Sequence, residues 1–333
     1  MATGSMLEPP PPGSAAQLAS GFGQRVLLTV DTEEEFYWDA PFRRDRYGLS
    51  HVAAIPRFQR FCEAIGAHPV YLVDWPIVTD QAAVAIIGDA VARGKADVGL
   101  QLHPWVNPPF TEDVNDYNSF AGNLPRELEA AKLMALRDAI AEAFGAPALI
   151  YRAGRYGLGP HTADLLKTAG IRIDTSVRSL FDYSAKGGPD YSDHPLAPYW
   201  ADDERTLLEL PVTSVHSGLL RHAGRKVQRW GQRIPRAMGA FSKLGLLERI
   251  ALTPEGVSVD EALRGVDVAL EGGLPVLVLS FHSPTLAAGN TRYTPTEAGV
   301  EALYHWFEAI YAALDRRGVR TCTVTEILTA STP

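Results

Sequence analysis

Six polar residues stand where apolar runs of the sequence end: Asp31, Asp74, His103, Arg152, Asp174 and His282. The first closes Val26-Leu27-Leu28-Thr29-Val30, whose β-branched and aliphatic side chains read as a buried parallel strand. Glu33, Glu34 and Glu35 come just after it. A core strand that delivers several carboxylates to one place is unfavourable unless they are hydrated, paired or bound to a cation. Carboxylate and imidazole together can move protons between a water and a leaving group. With a neutral histidine the same set can hold a divalent metal. Each residue also has a plainer reading. Residues 31–35 fit a solvated acidic turn, and His103 a turn histidine packed on Trp105. Arg152 and Arg155 fit ion-pair partners of the acidic loop, and Asp174 and His282 fit turn caps. A whole series at strand ends carries more: it predicts the polar C-terminal mouth of an α/β barrel.

The elements that must position these residues alternate. Strands are expected at 69–75, 97–102, 148–152, 171–174 and 274–281, besides the first. Helices are expected over 55–65, 81–93, 124–144 and 162–169, stopped by Gly66, Gly94, Gly145 and Gly170. Residues 289–317 supply a loop and a final helix, and 319–328 a closing strand and turn. Strand–helix alternation without an internal repeat predicts a parallel sheet, open or closed into a barrel. Residues 1–24, rich in Pro, Gly, Ala and Ser, read as a disordered tail outside a folded unit of 25–330.

The section 182–256 breaks the rhythm. Within it, 219–250 carries Arg221, Arg225, Lys226, Arg229, Arg233, Arg236, Lys243 and Arg249 against one acid, Glu248. It reads as a solvated helical face, or as a lid or patch for an anionic lipid headgroup, phosphate or acidic sugar. Over all 333 residues the net charge is −8, which argues against a nucleic-acid-binding protein. Cys62 and Cys322, far apart, exclude a disulfide framework and a cysteine zinc site, and fit a reducing compartment. No apolar run reaches the length of a membrane span, and the N-terminus lacks the pattern of a secretory signal. A cytoplasmic protein without stable membrane insertion is expected.

Five stretches follow the order of the motifs of the polysaccharide deacetylase (NodB-homology, carbohydrate esterase family 4-like) family. They are Asp31-Thr32-Glu33, Leu102-His103-Pro104, Tyr151-Arg152-Ala153-Gly154-Arg155-Tyr156-Gly157, Asp174-Thr175-Ser176 and Leu279-Ser280-Phe281-His282-Ser283. Residues 31–36, 102–109, 118–125, 187–191 and 280–290 resemble its WalW-type branch, linked to cell-surface polysaccharide loci. The resemblance covers nearly all of 26–328. It implies a distorted (β/α)7 barrel with 182–256 as a basic helical insertion. The implied activity is removal of an N-acetyl or related acyl group from a sugar, in a surface polysaccharide or its nucleotide- or lipid-linked precursor.

Carried over residue by residue, the resemblance makes Asp31 the general base and His282 the general acid. Arg152 pairs with the base and Asp174 orients the histidine. Asp31, Glu33 and His103 are the expected ligands of a divalent metal, zinc first. Gln101, Trp105, Arg155, Tyr156 and Asp74 are the expected substrate contacts. The expected partner is a carbohydrate, and the basic segment would suit a phosphate-bearing carrier. Gln101 departs from the family pattern, because it stands where the first histidine of the family's metal-binding pair is expected and an amide is a poor zinc ligand. A metal-independent C–N hydrolase, deformylase- or allantoinase-like, therefore stays open, as does an inactive glycan-binding barrel. His51, His68, His161, His194, His216, His222 and His305 read as structural or surface residues.

Overall fold

The computed structural model describes residues 6–36, 40–232 and 237–331. The strands are β1 (Arg25–Thr32), β2 (Pro69–Val73), β3 (Asp97–Leu102), β4 (Ile150–Ala153), β5 (Ile173–Asp174), β6 (Tyr199–Trp200), β7 (Leu208–Glu209), β8 (Ser214–Ser217), β9 (Glu248–Ala251), β10 (Val276–His282) and β11 (Arg320–Thr321). The helices are α1 (Ile55–Ala64), α2 (Trp75–Thr79), α3 (Gln81–Ala92), α4 (Arg126–Phe144), α5 (Thr162–Thr168), α6 (Gly224–Gln232), α7 (Ala237–Lys243), α8 (Val259–Glu271), α9 (Glu297–Arg316) and α10 (Val324–Ala330). One sheet runs in the order β10-β1-β2-β3-β4-β5-β7-β6, with β11 beside β1, and only β6 is antiparallel. Strands β8 and β9 form a separate antiparallel pair.

The sheet curls until irregular backbone bridges its ends. Leu210 N–H donates to Asp174 O at 2.8 Å, and Thr213 N–H to Val278 O at 3.2 Å. Val278 N–H returns a bond to Thr213 Oγ1 at 2.8 Å, and Ser280 N–H reaches Leu252 O at 3.2 Å. Loop segments thus stand where a strand would complete the ring, so this is a distorted (β/α)7 barrel. Strand β1 is buried from Val26 to Thr32 because β10 and β2 flank it and helices cover the outside. All the strand ends that carry polar residues open at one mouth, as parallel strands require.

Several elements differ from expectation. Of the residues expected as a disordered tail, 6–24 lie along the barrel, and 1–5 fall outside the described residues. Ala16 N–H bonds Pro198 O at 3.0 Å, Ala19 N–H bonds Ala330 O at 2.8 Å, and Trp200 N–H bonds Ser14 O at 2.8 Å. An extended, proline-rich segment has no regular structure of its own, but its backbone groups pair with the edge of β6 and the end of α10. Helix α8 follows a capping box of Ser258 and Glu261 that marks its start, and 319–328 holds a two-residue strand and then α10.

In the insertion, many of the basic side chains are already engaged. Arg225 donates to Ser192 O at 2.8 Å and His194 O at 2.6 Å, Arg249 donates to Leu180 O at 2.8 Å, and Arg229 pairs with Asp193. Arg233 and Arg236 lie outside the described residues. Among those described, no helix is long and apolar enough to cross a membrane.

Candidate active site

Register and pleat assemble the centre. On β1, Thr29 and Asp31 share a face; on β10, Ser280 and His282 do the same; and the two strands pair Thr29 with Ser280 and Asp31 with His282. On β3, Gln101 stands beside Arg152 of β4. The Arg152 side chain crosses the barrel interior, 1% exposed. Its five N–H groups all find acceptors. Nη1 donates to Asp31 Oδ1 and to Ser280 Oγ at 2.8 Å; Nη2 donates to Thr29 Oγ1 at 3.0 Å and Thr175 Oγ1 at 3.3 Å. Nε donates to Thr175 O at 3.0 Å. A guanidinium buried this deeply is tolerable only with such complete pairing.

The second oxygen of Asp31, Oδ2, lies 3.7 Å from Nε2 of His282. The other ring nitrogen, Nδ1, donates to Glu255 Oε2 at 2.6 Å. Burial works against an imidazolium here, but the charge and hydrogen bond of Glu255, with Asp31 behind it, outweigh that and raise the pKa of His282. The partner of His282 is therefore Glu255, and Asp174 is not in contact with it. Asp174 accepts from Ser176 Oγ at 2.6 Å and faces the Glu209 carboxyl. Burial and the charge of Asp174 raise Glu209 well above the carboxylate range. Glu255 lies in the Thr253-Pro254-Glu255-Gly256 turn beyond β9. The one signal for it was an acid following a strand, the pattern already seen at Asp31 and Asp74.

The other carboxylates form two groups around His103. Glu34 Oε2 accepts from His103 Nδ1 at 2.9 Å, and its Oε1 accepts from Trp105 Nε1 at 2.7 Å. Asp74 Oδ2 accepts Glu34 N–H and Oδ1 accepts Ile77 N–H, both at 3.0 Å, so Asp74 caps α2. Burial and the neighbouring Glu34 raise Asp74 well above its usual range. On the other side of the ring, Nε2 faces Glu33 Oε2 at 3.4 Å. Burial pushes the His103 imidazole down to about 4, leaving it neutral. Burial, then repulsion from Asp31, Glu34, Asp74 and Glu255, raises Glu33 well above the carboxylate range.

Glu34, Asp74 and His103 offer ligand atoms that all lie within 4.8 Å of one another. Their lone pairs are nevertheless largely taken by Trp105, Ile77 N–H and the Nδ1 proton. The open side is at Nε2. With Nδ1 donating, Nε2 presents a lone pair to a carboxylate oxygen, while Glu33 Oε1 and Gln101 Oε1 are buried without partners. A neutral imidazole, clustered acids and orphaned oxygens fit a divalent cation between Glu33 and His103 Nε2, but Asp31, the third expected ligand, brings no oxygen within 4.8 Å of both. Gln101 does not complete the set as a histidine would, because its Nε2 donates to Glu33 Oε2 at 2.9 Å.

The residues expected at the substrate divide. Arg155 and Tyr156 line a cavity of about 280 Å³ against His282. Both adopt left-handed backbone, with φ of 57° and 61°, a conformation that costs a non-glycine residue about 1 kcal/mol or more. Trp105, Gln101 and Asp74 do not reach that cavity. Trp105 is buried, stacked on His103 at 4.3 Å and roofed by Phe36 and Phe42. It therefore fixes the His103 ring. His51, read as structural or surface, joins two loops: Nδ1 donates to Glu35 Oε1 and Nε2 accepts from Ser283 Oγ, both at 2.9 Å. Ser283 Oγ also accepts Glu33 N–H at 3.3 Å, so Glu35 and His51 pin the loop that carries Glu33.

No family model matches this chain, and no curated protein does. Solved structures do. One, from Mycobacterium smegmatis and assigned to the polysaccharide deacetylases, is 19% identical over 97% of this chain and 95% of its own, with a TM-score of 0.52. A 4-alpha-glucanotransferase from Thermococcus litoralis is 13% identical over 93% of this chain but 41% of its own, with a TM-score of 0.53. A GH57 branching enzyme from Thermococcus kodakaraensis, solved with glucose, is 12% identical over 94% of this chain and 72% of its own, at 0.51. With the strand order above, these likenesses establish the fold: a distorted (β/α)7 barrel of the polysaccharide deacetylase type.

Proposed function

We propose that this chain is a carbohydrate deacetylase-like hydrolase. It removes an N-acetyl or related acyl group from a sugar of a cell-surface polysaccharide or its nucleotide- or lipid-linked precursor. The observation that carries the reading is the Asp31–His282 pair, 3.7 Å apart, each member backed by its own buried counter-charge, Arg152 or Glu255. Neighbours that include a polysaccharide deacetylase and a branching enzyme solved with glucose support a sugar as substrate.

Asp31 Oδ2 takes a proton from the water whose oxygen adds to the acyl carbon. As the C–N bond breaks, His282 Nε2 gives its proton to the departing nitrogen, yielding a carboxylic acid and a free amine. Glu255 stabilises the imidazolium that does this, and the proton on Asp31 restores His282. Arg152 holds the Asp31 carboxylate in place through its other oxygen. A divalent metal, zinc by the donor set, would be held by Glu33 and His103, and when bound would supply polarisation of the acyl carbonyl and a more acidic water. Glu34 and Trp105 keep the His103 ring turned toward that position.

The test is acyl release from a panel of N-acetylated sugars, before and after chelation and with zinc restored. Asp31→Asn and His282→Asn are each expected to lose at least ~10²-fold in kcat. Wild-type turnover in either variant removes the reading. A second reading, metal-independent C–N hydrolysis, is favoured by Arg152 and Gln101, which already satisfy one oxygen each of Asp31 and Glu33. Turnover that survives complete chelation selects it.

A further inference from the structure

The cavity against His282 has a strong charge asymmetry. Arg155, Arg178, Lys186 and Arg292 all line it, and the one acid among its lining residues is Glu255, already engaged by His282 and Thr285. The chain as a whole has 39 acidic side chains against 31 basic ones, so carboxylates are not scarce. Even so, among the described residues Arg178 has no carboxylate within ion-pair distance, and its Nε is buried without a hydrogen-bond partner. Among the described residues its one hydrogen bond is a long contact of Nη1 with Tyr183 Oη, 3.4 Å. It lies 4.0 Å over the Phe181 ring, and Arg249 lies 3.7 Å over the same ring, adding a second positive charge beside it.

Arg155 repeats the pattern from another loop. It rests on the Phe120 ring at 4.1 Å, donates to Asp116 O at 3.2 Å and to Ser119 Oγ, and has no carboxylate partner among the described residues. Ring stacking and uncharged acceptors hold both guanidiniums in place without neutralising them. A planar guanidinium fork that is fixed, partly desolvated and unpaired is complementary to a carboxylate or phosphate. Tyr156 and Tyr183, stacked at 5.7 Å, supply the apolar faces on which a sugar ring lies.

We infer that the substrate is an anionic sugar, its carboxylate or phosphate received by Arg178 and Arg155 while its acyl group faces His282. The inference rests on the proposed hydrolase reading of this site. It also moves the anion site from the basic insertion, where Arg225 and Arg229 are already bound, to the barrel mouth.

Binding is measured by calorimetry on the full chain, so the result does not depend on turnover. The probes are N-acetylglucosamine, its 6-phosphate, glucose and glucuronate. Wild type is expected to bind the phosphate or the uronate at least tenfold more tightly than its neutral counterpart, and the arm that wins identifies the anion. Arg178→Met is expected to abolish the preference and leave neutral-sugar binding within twofold, while Arg178→Lys retains part of it. Arg155→Met probes the same preference independently should Arg178→Met fail to fold. Equal binding of acidic and neutral sugars by wild type, or a preference intact in both methionine variants, overturns the inference. A preference seen without acyl release would instead retire the hydrolase reading and leave an acidic-sugar binding site.

Discussion

Nδ1 of His282 lies 2.6 Å from Oε2 of Glu255, and the other oxygen of that carboxylate accepts the backbone N–H of His282 at 3.1 Å and the Thr285 hydroxyl at 2.6 Å. A side chain from the turn beyond β9 therefore sets both the tautomer and the tilt of an imidazole at the end of β10. Glu255→Gln is expected to lower kcat about 10²-fold with little change in KM. It removes the charge that raises His282, so the alkaline limb of the pH–rate profile should move to lower pH. A lower kcat with an unmoved limb would mean that Glu255 acts only through packing.

Arg152 ties β1, β4, β10 and the segment after β5 together through five hydrogen bonds. Arg152→Met strands a buried Asp31 charge and should cost about 3–5 kcal/mol of stability in urea unfolding. Adding Asp31→Asn should recover part of the loss, because the uncompensated charge goes with it. No recovery would place the cost in packing alone.

Gly154 brings its backbone close against His103. A Cβ there would sit 2.4 Å from His103 Cδ2 and 2.6 Å from Leu102 O. Gly154→Ala is expected to displace His103, lowering the melting temperature by the equivalent of about 1–3 kcal/mol and weakening zinc binding measured by calorimetry. Wild-type affinity for zinc would show that His103 is not a ligand.

Glu129 of α4 predicts a pH dependence of stability away from the mouth. Burial raises its carboxyl from 4.5 to about 7, against the opposing bond from Thr162. Between those values the unfolded chain releases this proton while the folded chain keeps it. Wild type should therefore lose stability as pH rises from about 4.5 to 7, by an amount on the order of 2–3 kcal/mol from this group. Chemical denaturation across that range should show a flatter profile in Glu129→Gln. Parallel profiles would exclude Glu129 as the source.

Much of this architecture is legible in the sequence, and the reason is local. An apolar run closed by a polar residue identifies a buried strand and its exposed end without knowledge of the partner strand, so Asp31, His103, Arg152 and His282 can be placed at one mouth. Orientation is not local. Asp174 stands at the right strand end, yet it turns to Glu209 of β7, a two-residue strand too short to show any periodicity. Glu255 was missed because its position depends on how the β8–β9 pair folds over the mouth, which residues 248–256 do not encode by pattern. Trp105 is expected at the substrate only through the family resemblance, while its position after His103-Pro104 fits packing on the histidine. It is buried beneath Phe36 and Phe42, whose placement depends on the loop after β1.

The pairing of β1 with β10 has a consequence for the order in which the chain becomes a protein. Thr29 Oγ1 bonds Leu279 O across 250 residues, so β1 leaves the ribosome well before the strand it pairs with. At ~5–20 residues per second that interval is on the order of 10–50 s. Throughout it the Val26–Val30 edge is unpaired on one side, which makes this the segment where a nascent chain most needs shielding from other strands. Asp31 meets His282 only when that edge closes, so no shorter nascent fragment contains the pair.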